Sequence, residues 1–408
     1  MSLAIVNAKY VDPVTSMTDR RNILIQGDSI RGVGYIPDED ESALEILDCT
    51  GGLIKPLGFD FIFLADINTV TQCFFKFRRN GIGYSVILPS TQTPLTTENE
   101  IEYLKRKVDE TVCIIAASAE TLNDNGELKL TELSQLKSAG AKAVYIERLV
   151  HHPKLLTQVI IYLDMLGLPI VFGPLTQLSL NGAQMNQSPT SVIIGVPGEF
   201  AALETDVLTR VLDVLIDHCS VPVHFQSLST KSSIDQITTF QQRYLGACSF
   251  GVSPFHCLFN DTHLDTYNAQ LKLNPPLRSV DTQHLLAQMY SGDIRFHAPS
   301  LQSVHCLANI PKPFTQVEFN TDLVSSYWAA LVHLVDSFSV DVSAFHEATS
   351  VPLAFRDVFS VPDLTLGAKA SFVLLESNVM LDQTILNVSF SNASVRKMSV
   401  YIDGERLL

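Results

Sequence analysis

The sequence predicts an α/β protein: a (β/α)8 TIM-type barrel with a small β-sandwich built from both chain ends. Three observations predict it. Apolar strand-like runs alternate with helical segments through the middle of the chain, both ends read as strands and turns, and 408 residues accommodate one large barrel, routinely more than ~200 residues, plus a small accessory unit. At the start, Ala4-Ile5-Val6-Asn7-Ala8-Lys9-Tyr10-Val11 alternates in polarity, and Asn22-Ile23-Leu24-Ile25-Gln26-Gly27-Asp28 is a strand meeting a turn. In the middle, Tyr84-Ser85-Val86-Ile87-Leu88 and Pro169-Ile170-Val171-Phe172 each follow a helical segment that ends in Gly or a Gly-rich turn, the βα signature of a parallel barrel. At the end, Ala370-Ser371-Phe372-Val373-Leu374-Leu375 and Met398-Ser399-Val400-Tyr401-Ile402-Asp403-Gly404 return to strand patterning. Residues 1–51 and 356–408 are thus assigned to the sandwich and 52–355 to the barrel.

Composition narrows the function. Apolar residues make up 46% of the chain, enough for an extensive core, and the net charge of −15 argues against a nucleic-acid groove, which needs clustered Lys and Arg. The first residues lack the basic start and small-residue cleavage site of a signal peptide, and no apolar run approaches the ~20 residues that span a bilayer. Seven Cys occur without a C-x-x-C pair, the pattern of reduced thiols in a cytoplasmic protein.

Some segments imitate chemistry. Thr121 to Gly126 with Glu132 has the outline of an EF-hand loop, but it starts on Thr and puts Lys129 in the ninth place, so a turn leading into a helix is expected. Gly81-Ile82-Gly83 lacks the final Gly of a dinucleotide fingerprint and precedes a strand. His151-His152 falls in a charged connector, and adjacent His side chains point apart. Asp60 and Asp66 are candidates for a metal-free acid/base pair, with a loop or capping role as the simpler reading.

A series of landmarks carries more weight through its order and spacing. Gly52-Leu53-Ile54-Lys55-Pro56-Leu57-Gly58-Phe59-Asp60-Phe61 resembles the opening G-L-I-D-P-H-x-H-x-R of amidohydrolases. Leu88 to Pro94 resembles M-P-N-T-x-P, Leu136 to Ala143 L-K-x-A-G-A-x-A, Leu166 to Gly173 L-G-L-P-V-x-V-H, and Val223 to Thr230 L-H-I-x-H-V-S-T. Lys272-Leu273-Asn274-Pro275-Pro276-Leu277-Arg278 is an intact K-x-N-P-P-L-R, and Ile294 to Ser300 stands where A-T-D-H-A-P-H is expected. Together they resemble the dihydroorotase family of the amidohydrolase superfamily.

The resemblance implies a zinc site, and at every matching position the ligand is replaced. The His pair becomes Leu57 and Phe59, the bridging acidic residue falls at Ile146 with Glu147 adjacent, and the remaining ligands become Gly173, Ser227 and Phe296. These positions are expected to meet at the C-terminal mouth of the barrel, with Phe59 and Phe296 filling much of the former metal cavity. Zinc needs three or four N, S or O donors and supplies the hydroxide nucleophile of this chemistry, so neither bound zinc nor hydrolysis is expected. The resemblance also implies substrate contacts at Asn274 and His297, with Arg278 beside them. The Arg and Asn that share that work are replaced by Phe61 and Ser90, while His224 and His256 are expected to pack. What the resemblance points to is a pseudo-dihydroorotase, a non-catalytic partner of the aspartate transcarbamoylase catalytic chain in pyrimidine biosynthesis, itself a homodimer. Two alternatives stay open: an amidohydrolase with rebuilt chemistry, and an effector-binding regulator using Asn274, Arg278 and His297.

Overall fold

A computed structural model describes residues 2–11, 18–34, 44–64, 66–90, 92–123, 125–176, 182–290, 294–300, 313–320, 323–338, 342–361, 364–376, 384–385, 388–389 and 397–407. Seven parallel strands form one curled sheet in chain order: Gly58–Phe63, Ile82–Leu88, Cys113–Ser118, Ala143–Ile146, Ile170–Phe172, Val223–Phe225 and Cys248–Phe250. Nearly every residue in them is buried, as expected for parallel strands covered on both faces. The eighth position is held by a single parallel bridge between Gly251 and His297. There the His297 N–H donates to the Phe250 carbonyl and the Val252 N–H to the His297 carbonyl, both at 2.8 Å. Side chains complete the closure toward the first strand: His297 Nε2 lies 3.0 Å from the Phe59 carbonyl, and the Ser300 N–H donates to Asp60 Oδ2.

Helices between the strands begin and end on local chemistry. Thr97 caps Glu98–Lys105 in a reciprocal capping box with Glu100, Thr230 caps Lys231–Gln241, and Pro153 opens Pro153–Leu166. That last helix stops at Gly167, whose φ of 66° is left-handed. Gly81 has φ 75° and no room for a side chain, because a Cβ there would meet Val373 and Trp328 where barrel and terminal sheet touch. The segment that imitates a calcium loop is a hairpin of Glu120–Leu122 against Leu128–Leu130, followed by the helix Leu133–Ala139.

The two chain ends share one eight-stranded sheet. Its central path runs Glu405–Arg406, Lys397–Ile402, Phe372–Glu376, Leu53–Pro56, Ser2–Val11, Thr18–Gln26 and Ser29–Val33, with Leu44–Asp48 also on the first strand. The pairing of the first strand changes along its length. Residues 2–6 run beside Leu44–Asp48 and residues 9–10 beside Leu53–Ile54, with an irregularity between Ile5 and Ala8. A separate core of Tyr10, Ile23, Ile25, Ile54, Phe372 and Tyr401 fills this unit. Since Leu53–Pro56 pairs with Phe372–Leu375, the chain passes from sheet to barrel at Leu57 rather than at Gly52. Phe359, beyond the other boundary drawn from sequence, still packs on Phe59 and Tyr84 inside the barrel.

Candidate functional site

Strand side chains alternate between the two faces of a sheet, and the first strand sends Phe59 and Phe61 to the barrel axis. Their rings meet edge to face at 5.1 Å, and Phe355 stacks on Phe59 at 5.9 Å. His224 from the sixth strand and His297 from the eighth complete the cluster, with ring centroids 5.9 Å apart and Phe61 5.0 Å from His224. One nitrogen of each imidazole is bonded to protein, His224 Nδ1 to Ser249 Oγ at 2.9 Å and His297 Nε2 to the Phe59 carbonyl. Burial keeps both neutral. It holds His224 well below the ordinary imidazole range and His297 at about 4.

This centre does not fit a zinc ion. The two remaining imidazole nitrogens are walled by Phe59, Phe61 and Phe355. Among the described residues no three His, Cys, Asp or Glu gather in a group that could hold a metal, where zinc needs three or four donors. Asp60, next to both phenylalanines in sequence, faces the other way: its carboxylate accepts from the Phe61 and Ser300 N–H groups. Burial, only partly offset by those two bonds, raises its pKa to about 7. Asp66 is exposed and caps Ile67–Thr69 through Asn68, so the two aspartates do not form an acid/base pair.

The six positions read as replaced ligands do not all meet at the mouth, contrary to expectation. Phe59 and Gly173 face the interior, and the Tyr145 hydroxyl takes the space that a Gly173 side chain would need. Ser227 is buried just past the sixth strand, its hydroxyl without a partner. Leu57 lies at the opposite end, before the first strand begins, against Gly83 and near His346 and Phe359. Phe296 points outward onto Phe250 and Tyr290, so it is His297 and not Phe296 that enters the barrel. Ile146 also faces out, because Tyr145 beside it reaches across to Phe63. The carboxylate at the mouth of that strand belongs to Glu147.

The intact K-x-N-P-P-L-R segment is held by protein partners. Lys272 Nζ donates to the carbonyls of Phe314 and Val317. The Asn274 side chain accepts from Thr176, its backbone pairs with Asn320, and its bond to Pro275 is cis. The Pro275 carbonyl is bonded to His256, which burial lowers to about 4. Arg278 is fully enclosed. Its guanidinium donates to Ser229 Oγ, Asn186 Oδ1 and, at 3.2 Å, Glu204 Oε2. Glu204 also accepts from the backbone and hydroxyls of Ser229 and Thr230. Burial alone would push the Glu204 carboxyl up, but Arg278 and these donors bring it below its ordinary value. Asn274, Arg278 and His297 therefore sit in separate bonded networks and do not converge on a ligand.

An opening at the C-terminal mouth with charge on its walls lies off the axis, above the second to fourth strands. It has a volume of about 280 Å³, with Ser90, Glu120, Tyr145, Glu147 and Arg148 among its lining residues. Glu120 is fixed by the N–H groups of Arg148 and Leu149. Burial and the nearby Glu120 charge raise Glu147 to about 7. Only Ser90 and Glu147 were signalled by sequence, the first as a replaced substrate contact and the second as the neighbour of Ile146. Tyr145 and Arg148 carried no signal.

No family model matches the chain. It is 28% identical over 296 residues to the dihydroorotase of Wolbachia sp. subsp. Drosophila simulans (strain wRi), covering 68% of this chain and 64% of that protein. It is 26% identical over 316 residues to the dihydroorotase of Ruminiclostridium cellulolyticum, covering 73% and 72%. The chain thus spans under two thirds of the length of the Wolbachia relative. Among solved structures, dihydropyrimidinase from Brevibacillus agri NCHU1002 superposes with a TM-score of 0.71 at 18% identity over 100% of this chain and 95% of that one. L-hydantoinase from Arthrobacter aurescens gives 0.72 at 12% identity, over 99% and 95%. The chain is homologous to dihydroorotases at modest identity, and its fold, a parallel barrel with a terminal β-sheet unit, is that of the dihydropyrimidinase and hydantoinase structures.

Proposed function

We propose that this chain is a dihydroorotase-like barrel that has lost its zinc chemistry and serves as a structural subunit for an aspartate transcarbamoylase catalytic chain. The observation that carries the reading is the centre of the barrel, where Phe59, Phe61 and Phe355 enclose two neutral imidazoles already bonded to protein. A site that must polarise an amide and deliver hydroxide needs an open, metal-bearing centre, and an apolar plug opposes both. Exposed apolar side chains at Val192, Ile193 and Phe200 are of the kind that permanent interfaces cover, and such interfaces bury more than ~1,200–2,000 Å² in total. A dimer of this chain bridging transcarbamoylase oligomers follows the preference for closed symmetry. No helix among the described residues is long and apolar enough to cross a membrane, and the complex is proposed to be cytoplasmic.

Co-expression with the aspartate transcarbamoylase of the same organism is expected to give one co-eluting complex, with the transcarbamoylase less active or less stable when made alone. Separate elution at micromolar concentration, with transcarbamoylase activity indifferent to this chain, would end the scaffold reading.

A further inference from the structure

The off-axis cavity at the barrel mouth is built unlike the rest of the interior. Tyr145 is only 4% exposed, and its hydroxyl has no hydrogen-bond partner among the described residues although the ring lines the cavity. Glu147 and Arg148, both half-buried, line the same space. Neither side chain forms a hydrogen bond or an ion pair within 4 Å to a described residue. Around Arg278 and Glu204 the buried polar groups are heavily bonded, while other unbonded ones, such as the Ser85, Gln226 and Ser227 side-chain oxygens, are sealed in the packed interior. What distinguishes Tyr145, Glu147 and Arg148 is that three unbonded polar side chains, the first buried and the other two half-buried, open together onto one cavity where a ligand can reach them.

Their chemistry restricts what fits. Glu120 and Glu147 share one side of the cavity, where a bound ammonium would hold the raised Glu147 carboxyl in its ionised form, while Arg148 offers a fork that suits a carboxylate. Pro89, Pro94, Leu122 and Leu128 supply apolar walls between them. A dianion would face two carboxylates, and a simple amine would leave Arg148 unpaired. At about 280 Å³ the space falls just under the range of pockets that hold drug-sized ligands, roughly 300–1,000 Å³. We infer that this cavity binds a small zwitterion of amino-acid size, its ammonium on Glu147, its carboxylate on Arg148 and the Tyr145 hydroxyl bridging the two. The Asn274, Arg278 and His297 networks take no part, so the inference does not depend on a retained dihydroorotase substrate site or on any partner chain.

Calorimetric titration of the full chain tests this, using β-alanine, L-alanine and 4-aminobutanoate as probes, with propylamine and propionate as single-charge controls. At least one zwitterion is expected to bind saturably at millimolar concentration or below, with both controls weaker by roughly tenfold or more, the worth of one charge-assisted hydrogen bond. Glu147→Gln and Arg148→Gln should each lower that affinity by a similar factor, and Tyr145→Phe by less. Circular dichroism of each variant separates lost binding from lost folding, and Tyr145→Phe, which keeps the ring packing, serves if either charge variant is unfolded. No binding by any of the three zwitterions overturns the inference. So does equal binding of a single-charge control, or wild-type affinity in a folded Glu147→Gln or Arg148→Gln variant.

Discussion

Replacing Phe59 by alanine is expected to destabilise the protein by about 3–5 kcal/mol, the usual cost of emptying a fully buried phenylalanine site. Phe59 is fully enclosed and touches Phe61, His297, Phe355 and Phe359. Its removal takes away contacts to four rings and leaves a cavity lined by strands that cannot collapse without breaking their ladder. The carbonyl of Phe59 also anchors His297, so the closing side of the barrel loosens with it. Phe59→Leu keeps part of the volume and should cost less. The measurement is urea unfolding followed by far-UV circular dichroism. A loss below about 1 kcal/mol, the range of surface substitutions and mild repacking, would mean that the barrel centre is not packed as described.

The second large effect depends on pH. Burial raises the Asp60 carboxyl from 3.8 to about 7, so the folded state binds its proton more tightly than the unfolded chain does. The stability this group contributes is complete below the unfolded value and is lost as pH rises through 7. Since each tenfold change in proton affinity is worth about 1.4 kcal/mol, ionising Asp60 in place costs on the order of 4 kcal/mol by pH 8. Asp60→Asn removes that cost. The stability of the variant relative to wild type should therefore improve by a similar amount between pH 4 and pH 8. The buried imidazoles of His224, His256 and His297 have lowered values and act with the opposite sign in wild type, losing stability as pH falls below 6.5. Because they are present in both proteins, the wild-type-minus-variant difference isolates Asp60. A difference that is flat with pH would show that Asp60 is hydrated or otherwise compensated.

The architecture was legible in the sequence because its signals are local. Polarity alternation marked the terminal strands, and glycine-terminated helices before apolar runs marked the barrel. The site was legible in composition but not in register. A strand shifted by one residue turns every side chain to the other face, and motif spacing does not fix that shift. Phe296 was placed in the barrel and faces out, while His297 enters. Ile146 was placed in the mouth, and Tyr145 and Glu147 stand there. Leu57 lies before its strand begins, so Phe61 shares the axis with Phe59 instead. Other features arise from contacts between distant segments, which periodicity does not record. Phe355 reaches Phe59 from the far end of the barrel, and Arg278 is captured by Glu204 and Asn186, so that an intact binding motif became part of the core.

The central claim is that the barrel axis has exchanged zinc chemistry for packing. The most direct test combines metal analysis and turnover on one preparation: the purified chain, loaded with zinc and dialysed, assayed for interconversion of carbamoyl aspartate and dihydroorotate. A packed axis should give no stoichiometric zinc and no turnover above the uncatalysed rate. One zinc retained per chain, with turnover that a chelator abolishes and zinc restores, would contradict it.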